Sequence, residues 1–593
     1  MATQPITTTT SLPSEVADHQ QLEFLRRRQT LSILHGPVDP PLVDLTLGEL
    51  LDLQCQHHGH RECLVIPWTG TRWTYLELNQ QSRQLARALA SAHGIKAGDR
   101  VGIMAGNCAE YAAVFFAVAR LGAILVILNN TYTPTEAQYA LSFSDCKVFF
   151  TTKTIGRTDN SQLLSELAAK EDAPQVVMIR GDTGAYPTYA DLIKQGQQQI
   201  PSNTSSSMAK KVLAHQVCNL QFTSGTTGLP KAAMLTHHNI VNNARFIGDR
   251  MRLTPDDVLC CPPPLFHCFG LVLGLMAVVT HGAKIVFPEE VFDPHAVLKA
   301  LADERCTAVH GVPAMFDTLF SLPLPENFRE RARLRTGIVA GAPVPRYLME
   351  LMVERFGMRE FTSSYGLTEA SPTCFNAFTD DAIDKRLTTV GTLMPHARAK
   401  IVDHEGQVVP LGVRGELCIS GYQLQAGYWN NSDKTSEVMV RDEAGTLWLH
   451  TGDEAVFDDQ GYCTITGRFK DIIIRGGENI YPLEIEERLM AHPAITKAIV
   501  TGLKDAHYGE AVAAFLQAEE GKATPTDGEM RDWVRQKLGK HKAPAHVFWL
   551  GQGGVPLDVP LTGSGKIQKF KMARLGEEVL ERRKKKETRL EKL

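Results

Sequence analysis

A loop of small polar residues carries the strongest chemical signal in this sequence. Residues 223–231 read Thr-Ser-Gly-Thr-Thr-Gly-Leu-Pro-Lys, so two glycines interrupt a run of hydroxyl side chains and a lysine ends it. Glycines let backbone N–H groups converge on an anion, hydroxyls add donors, and Lys231 adds positive charge. A Walker loop needs four residues between its glycines and a Ser or Thr after its lysine, whereas this loop has two residues and Ala232. The pattern therefore predicts a phosphate-binding loop of a different type.

Four further segments carry side chains that suit a nucleotide. In residues 364–369, Ser-Tyr-Gly-Leu-Thr-Glu, an aromatic ring can stack on a base and the carboxylate can bind Mg²⁺. In Thr451-Gly452-Asp453, a carboxylate at a tight turn can accept hydrogen bonds from two ribose hydroxyls. The remaining two are residues 467–482, with an Arg, a Lys and a Gly-Gly-Glu, and the Gly/Ser-rich loop 560–566 with its single lysine. Taken singly, residues 364–369 could also be an ordinary strand end with a solvated Glu. Residues 451–453 could be an ordinary turn.

Regular elements must position these segments. A strand over Asn219–Phe222 is predicted before the phosphate loop, and a strand over Ala232–Leu235 and a helix over His237–Asn243 after it. Over residues 47–193, helical patterns alternate with short apolar strands, which predicts an α/β domain with largely parallel strands. Glycine-separated β-rich runs over 389–420 predict a small β subdomain, and the pattern after residue 470 predicts a compact α+β segment.

Length and composition restrict the class of protein. A chain of 593 residues is too long for one hydrophobic core, so two or more domains are expected. A net charge of −4 gives no support to a nucleic-acid partner. Twelve cysteines without a Cys-x-x-Cys pair predict reduced thiols. The longest apolar stretch, Tyr111–Leu128, is interrupted by Arg120 and Gly122, which predicts a helix and a buried strand, not a membrane span.

The order and spacing of the five segments resemble the AMP-forming adenylating superfamily, which includes acyl-CoA synthetases, adenylation domains of non-ribosomal peptide synthetases and firefly luciferase. The resemblance covers roughly residues 45–575 and departs at Ala232, where the family usually has Gly. It implies an α/β fold: a large N-terminal domain of α/β-layered subdomains with a small β subdomain, then a small mobile α+β C-terminal domain. The implied parts are an N-terminal extension (1–44), an adenylation domain (45–469) and a mobile domain (470–593) with its hinge at Lys470.

The resemblance also implies a role for each residue of the ATP site. The β- and γ-phosphates would be held by the phosphate loop, Thr223, Ser224, Gly225, Thr226, Thr227, Gly228, Leu229, Pro230 and Lys231. Adenine, ribose, Mg²⁺ and the α-phosphate would be contacted by Ser364, Tyr365, Gly366, Thr368, Glu369, Asp453, Arg468 and Lys566. Among these, Tyr365 would stack on adenine, Asp453 would bind ribose, and Glu369 would bind the metal. Lys566 would reach both the α-phosphate and the acid carboxylate.

A second set of residues would handle the acid and CoA. The acyl pocket implied by the resemblance contains His267, Gly341, Ala342, Pro343 and Ser364. Lys566, Glu369, Thr368 and His267 would be the catalytic residues, and Gly476, Gly477 and Glu478 would meet CoA. The implied reaction joins a small carboxylic acid to CoA at the expense of ATP, releasing AMP and pyrophosphate. The C-terminal domain would swing about Lys470 between the two steps.

The acid itself is implied only by overall likeness. End to end, the chain resembles the siderophore-biosynthetic acyl-CoA ligases of filamentous fungi, which make mevalonyl-CoA. The alternatives are a medium-chain fatty acid and, from another class, a catalytically silent adenylate-binding protein. The intact set of Lys231, Glu369, Asp453, Arg468 and Lys566 argues against the silent alternative. The sequence makes no prediction of oligomeric state.

The N-terminal extension contains a candidate targeting signal. Arg28-Gln29, five residues and His35-Gly36 resemble the N-terminal peroxisomal targeting nonapeptide Arg-Leu-x5-His-Leu, with a departure at Gly36. This resemblance predicts a peroxisomal protein. The alternative is a cytoplasmic protein in which residues 20–34 form an amphipathic helix packed on the body of the molecule.

Overall fold

Four β-sheets and one two-stranded hairpin, Thr154–Ile155 with Thr158–Asp159, organise the described part of the chain. The structure, a computed structural model, describes residues 31–181, 184–199, 211–223, 230–341, 344, 346–476, 478–561 and 567–590. Three of the sheets, A to C, lie before residue 469, and sheet D lies after it. This arrangement confirms the predicted α/β class, with a large N-terminal domain and a small C-terminal domain.

Sheet A carries the strands that flank the phosphate loop. Its six strands, in spatial order, are Lys231–Thr236, Val217–Thr223, Ile124–Ile127, Arg100–Met104, Cys146–Thr151 and Gln175–Met178. All neighbours pair in parallel except the first two, which form an antiparallel hairpin. The helices of this part of the chain are Leu47–His58, Tyr75–Ala92, Ala109–Arg120, Pro134–Phe143, Ser161–Ala168 and Tyr189–Gln198. The parallel strands are almost wholly buried, as expected for a sheet covered on both faces.

Sheet B has nine strands and a parallel centre. Its spatial order is Thr392–Leu393, Thr373–Asn376, Glu360–Gly366, Thr336–Ala340, Ala308–Val309, Val258–Cys260, Lys284–Val286, Glu62–Ile66 and Thr71–Thr74. The first two strands and the last one are antiparallel to their neighbours. Its helices are His237–Arg250, Phe269–Met276, Ala277–Thr280, Pro294–Asp303, Pro313–Ser321, Phe328–Arg331, Arg346–Phe356, Thr368–Ala370 and Ile383–Thr388. The carboxyl ends of adjacent parallel strands lie at one edge, where ligands bind in such sheets.

Sheet C is the predicted β subdomain and is entirely antiparallel. It runs Ile33–His35, Ala397–Val402, Gly415–Gly421, Leu447–Phe457 and Met439–Arg441, with Cys463–Arg468 also pairing with Leu447–Phe457. The short helix Ser432–Val438 precedes its edge strand. The first strand corrects one expectation, since a helix over residues 20–34 cannot include Ile33 and Leu34. The free edge of Ala397–Val402 offers unpaired backbone groups, and residues 33–35 satisfy them as a strand.

Sheet D forms the core of the C-terminal part. Its strands run Glu478–Ile480, Ile473–Arg475, Gly509–Ala518 and Ile495–Asp505, and His546–Trp549 pairs with Gly509–Ala518 in parallel. The helices Pro482–Met490, Asp527–Arg535 and Lys569–Leu590 and the 3₁₀ turn Lys540–Lys542 accompany it. A 3₁₀ turn, Phe469–Asp471, joins sheet C to sheet D, and it contains Lys470. The role of Lys470 as a hinge stays a prediction.

Two local features set up the ligand-binding edge. Helix His237–Arg250 begins immediately after the hairpin because Thr236 and Asn239 form a reciprocal capping box. The segment Phe269–Met276 is a π-helix, which the sequence did not predict, and it is fully buried. π-Helical turns are rare and occur mostly at functional sites. Within the described ranges, no helix is both long enough and apolar enough to span a bilayer.

Candidate functional site

The ends of the phosphate loop are held together as a hairpin. Thr223 and Lys231 are cross-strand partners, and the Thr223 hydroxyl donates to the Lys231 carbonyl at 3.4 Å. Ala232 is fully buried in the strand that leaves the loop. The predicted strands before and after the loop are therefore present, and each extends one or two residues further at each end than expected. Six loop residues, Ser224, Gly225, Thr226, Thr227, Gly228 and Leu229, lie outside the described residues.

A segment that the sequence did not single out packs along this hairpin. Backbone hydrogen bonds link Met234 to Gly427 and Ala426 and link Trp429 to Ala232. They place the Tyr428 ring beneath the Lys231 ammonium, 5.1 Å from its centroid. The Tyr428 hydroxyl in turn donates to Glu369 Oε1 at 2.8 Å. Tyr428, nearly 200 residues after Lys231 in sequence, therefore joins the phosphate-loop lysine to the predicted metal ligand.

Tyr365, Asp453 and Arg468, which the resemblance assigns to the nucleoside and phosphates, form a triad of hydrogen-bonded side chains. The Tyr365 hydroxyl donates to Asp453 Oδ2 at 2.6 Å, and Arg468 Nε lies 2.8 Å from Asp453 Oδ1. Asp453 and Arg468 are cross-strand partners in sheet C, so the β subdomain fixes this ion pair. The Asp453 carboxylate raises the pKa of the Arg468 guanidinium, and burial followed by Asp453 raises the pKa of the Tyr365 phenol. The three predicted residues are thus brought together around one carboxylate.

The residues expected around the acid lie at the carboxyl edge of sheet B. Ala340 and Ser364 are paired at the ends of adjacent parallel strands, so Gly341 begins the loop beside Ser364. Gly366 follows at a point where any side chain would meet the Pro372 carbonyl, since an added Cβ would lie 2.0 Å from that oxygen. The Ser364 hydroxyl donates to the Phe375 carbonyl at 3.3 Å.

His267 lies in the turn that leads into the π-helix. Its Nδ1 accepts a hydrogen bond from the Phe269 N–H at 3.1 Å, which leaves the ring proton on Nε2 when the ring is neutral. Two further side chains tie this turn to both sheets. The Gln221 amide of sheet A donates to the Phe266 carbonyl, and His310 bridges the π-helix to sheet B through Leu273 O and Ile338 N. Buried polar residues in otherwise apolar strands are the signal that could have identified Gln221 and His310.

The predicted CoA-facing residues lie in the C-terminal part. The Gly476 N–H donates to the Tyr508 carbonyl at 2.8 Å, and the exposed Glu478 carboxylate lies 3.3 Å from His541 Nε2. Thr368 begins the 3₁₀ turn that carries Glu369, and Pro230 precedes the hairpin strand. The remaining candidates, Ala342, Pro343, Gly477, Lys566, Arg28 and Gln29, lie outside the described residues.

The groups around Glu369 suit a hard divalent cation. One carboxylate oxygen accepts from Tyr428, and the Glu369 carbonyl accepts from the Gln425 N–H. The side-chain oxygen of Gln425 is buried without a hydrogen-bond partner among the described residues. Carboxylate, phenol and amide oxygens are ligands of the type that Mg²⁺ binds, alone or through water. The donor set therefore fits the metal that the sequence predicted.

The sequence and the fold both match known AMP-binding enzymes. The family described as "AMP-binding enzyme" matches residues 51–429, and "AMP-binding enzyme C-terminal domain" matches residues 484–566. A Beauveria bassiana protein named acyl-CoA ligase sidI is 70% identical over 99% of this chain and 100% of its own length. An Aspergillus fumigatus protein of the same name is 58% identical over 94% of this chain and 95% of its own. The crystal structure of ATP-bound MatB from Rhodopseudomonas palustris superimposes with a TM-score of 0.77 at 26% identity, covering 90% and 99% of the two chains.

Proposed function

The chain belongs to the AMP-binding enzyme family and is an AMP-forming acyl-CoA ligase, and from this premise we propose that its acid substrate is mevalonate. The product would be mevalonyl-CoA for the biosynthesis of a fungal siderophore. The proposal is supported by the 70% identity to the Beauveria bassiana ligase over nearly the whole chain and by the overall resemblance to siderophore-biosynthetic ligases. It also draws on one buried side chain at the acid side of the site.

That side chain is Asn376, which carries the argument for a hydroxylated acid. Asn376 lies directly opposite Ser364 across an antiparallel pair, so the two side chains point to the same face of sheet B. It is fully buried, and both atoms of its amide lack a hydrogen-bond partner among the described residues. A buried polar atom left unpaired costs about 1–3 kcal/mol. A substrate hydroxyl could satisfy the Asn376 amide, whereas the alkyl chain of a fatty acid would leave it unpaired.

The chain's own charged groups suit the first step. A carboxylate that attacks the α-phosphorus of ATP brings one anion to another, so positive charge must stand where negative charge gathers. Lys231 lies at the exit of the phosphate loop, and Arg468 stays protonated beside Asp453. We assign Lys566 to the α-phosphate and the carboxylate, as the family resemblance implies. Pyrophosphate then leaves, and the acid is held as its adenylate.

Glu369, supported by Tyr428 and Gln425, would hold Mg²⁺ at the phosphates. When bound, the metal would neutralise charge on the phosphate oxygens. In the second step the CoA thiol attacks the acyl carbonyl and AMP departs. The triad of Tyr365, Asp453 and Arg468 keeps the nucleotide in place through both steps.

A screen of acids with the purified full chain tests the substrate. Pyrophosphate release would be measured with ATP and CoA in the presence of mevalonate, hexanoate, octanoate or an aryl acid. We expect kcat/KM for mevalonate to exceed that for each unhydroxylated acid by about tenfold or more, because only mevalonate pairs the buried amide. A preference for octanoate would overturn mevalonate in favour of a medium-chain substrate.

We further propose that the protein resides in peroxisomes. The proposal is supported by the resemblance of residues 28–36 to the targeting nonapeptide, in which the His35 side chain is exposed on the first strand of sheet C. A fluorescently tagged full chain should give punctate staining that Arg28→Ala combined with His35→Ala abolishes. Arg27→Ala, beside the pattern but not in it, is the matched control. Punctate staining that survives the double substitution would refute the proposal.

A further inference from the structure

The face of sheet C opposite its main core carries a cysteine, a histidine and a glutamate that the ligase reaction does not use, and the cysteine is fully buried there. Glu416 and Cys418 lie two residues apart on one strand, and His450 is the cross-strand partner of Cys418 on the next. Leu417 and Ile419, which alternate with them, pack into the core on the opposite face. One ligand atom from each of the three residues lies within 4.8 Å of the other two.

We propose that Glu416, Cys418 and His450 form a binding site for a single Zn²⁺ ion. The distance from Cys418 Sγ to His450 Nδ1 is 3.5 Å. Two ligands at the usual Zn–S and Zn–N lengths of about 2.3 and 2.0 Å are separated by about 3.5 Å at a tetrahedral angle. The Glu416 Oε2 to His450 Nδ1 distance is 2.8 Å, so this pair needs to open by only about half an ångström.

The chemistry of the three donors selects zinc over the Mg²⁺ of the nucleotide site. Thiolate and imidazole are ligands for borderline and soft metals, whereas Mg²⁺ prefers oxygen. The side chains of Glu416 and His450 are about one-quarter exposed, 24% and 28%, so an ion can enter and keep water in a fourth position. Burial and the neighbouring Glu416 raise the pKa of the Cys418 thiol, and Lys400 on the adjacent strand lowers it. Binding releases the thiol proton to solvent and leaves the thiolate on the metal.

The supporting hydrogen bonds lead towards the nucleotide. The second carboxylate oxygen of Glu416 accepts the Gly452 N–H at 3.1 Å, and the Thr451 hydroxyl donates to the Leu417 carbonyl at 2.7 Å. Both contacts hold the turn that ends at Asp453. Zinc would therefore bind at His450, the residue immediately before the Thr451–Asp453 turn, without using any side chain of that turn.

The alternative to a metal site is a purely structural role. Glu416 and His450 would then form an ion pair, and Cys418 would pack against Val402 and Trp448. A second group, Asp44, His215 and His238, also brings three ligand atoms together. It contains no thiol, and two of its side chains are highly exposed, 74% for Asp44 and 70% for His215. These two differences allow the two groups to be distinguished experimentally.

Cobalt and zinc titrations of the full chain test the proposal. The protein would be stripped with a chelator, kept reduced and titrated with Co²⁺, then with Zn²⁺ against a chromogenic competitor. We expect one equivalent of Co²⁺ to give a thiolate-to-cobalt charge-transfer band that Zn²⁺ removes. Cys418→Ser should abolish the band and weaken Zn²⁺ binding by more than about tenfold, and Glu416→Gln, which keeps size and hydrogen bonds, should also weaken it.

Two control variants decide between the alternatives. His404→Ala removes an exposed histidine beside Glu405 in the same subdomain and should leave binding unchanged. His215→Ala should also leave it unchanged. Equal zinc affinity in the wild type, Cys418→Ser and Glu416→Gln, or loss of the bound equivalent in His215→Ala, would overturn the proposed site. Acyl-CoA ligase activity of Cys418→Ser, measured with Mg²⁺ and ATP but without added zinc, reports whether that variant is folded.

Discussion

The nucleotide side and the acid side of the site differ in whether their buried polar side chains have hydrogen-bond partners. On the nucleotide side, Asp453 pairs with Tyr365 and Arg468 before any ligand binds. On the acid side, the buried amide of Asn376 has no partner among the described residues. The paired charges hold a nucleotide-binding geometry that is needed whichever acid is bound, since every acid reacts with the same ATP. An unpaired buried group discriminates between ligands instead, because only the correct one restores its hydrogen bonds.

Lys566→Ala removes the lysine that we assign to both the α-phosphate and the acid carboxylate, and it should have the largest effect. We expect adenylation to fall by about 10²–10³, as when one preorganised contact to developing charge is lost. Conversion of preformed acyl-adenylate to thioester should be retained, since that step does not involve attack on phosphorus. Single-turnover assays of the two half-reactions would measure this, with Lys571→Ala in the same domain as control. Equal loss of both half-reactions would contradict the assignment.

Asp453→Asn tests whether the contribution of the nucleotide side to catalysis is independent of the acid substrate. Removing the charge that pairs with Arg468 should lower kcat/KM for ATP by about 10- to 100-fold, since a hydrogen bond to a charged group contributes about 1.5–3 kcal/mol. The factor should be the same for every acid that the enzyme accepts. Steady-state kinetics with two different acids would measure this fall in kcat/KM for ATP. A fall that differs between the two acids would contradict the separation of the nucleotide side from the acid side.

Asn376→Leu tests the acid side. The substitution keeps approximate volume and removes the amide, so activity with a hydroxylated acid should fall about tenfold while activity with an unhydroxylated acid stays or rises. Competition between the two acids in one assay gives the ratio directly. Thr379→Val, which removes another buried and unpaired hydroxyl just beyond the same strand, is the control. A similar loss in both variants would mean that Asn376 affects folding and not selection.

Tyr428→Phe should have the smallest effect and separates metal binding from ribose binding. Loss of the hydroxyl that holds Glu369 should raise the Mg²⁺ concentration for half-maximal rate by about fivefold or less. Tyr365→Phe loses a similar hydroxyl beside Asp453 and should change the KM for ATP instead. Mg²⁺ titrations at saturating ATP would distinguish the two variants. Identical responses would show that the two tyrosines serve one undivided site.

Much of the ligand-binding edge could be predicted because its parts are local. The two strands that flank residues 224–229 and the helix after them follow from apolar runs and a capping pair that are close together in sequence. Tyr428 could not be predicted, since its place depends on backbone pairing with a strand nearly 200 residues earlier. The π-helix Phe269–Met276 was missed because its uniformly apolar sequence has no periodicity to read. Asn376 gains meaning only from its register with Ser364.

The first strand of sheet C has a consequence for the timing of synthesis. Ile33 pairs with Lys400, so this strand can join the sheet only after a partner strand more than 360 residues later has been synthesised. At about 5–20 residues per second, the ribosome needs roughly 20–70 s to supply that partner. Throughout that interval His35 and Gly36 have no sheet to join. A receptor that reads residues 28–36 in a conformation other than a strand would therefore meet them on the nascent or newly released chain. Completion of the sheet fixes the backbone of residues 33–35, although the His35 side chain stays exposed.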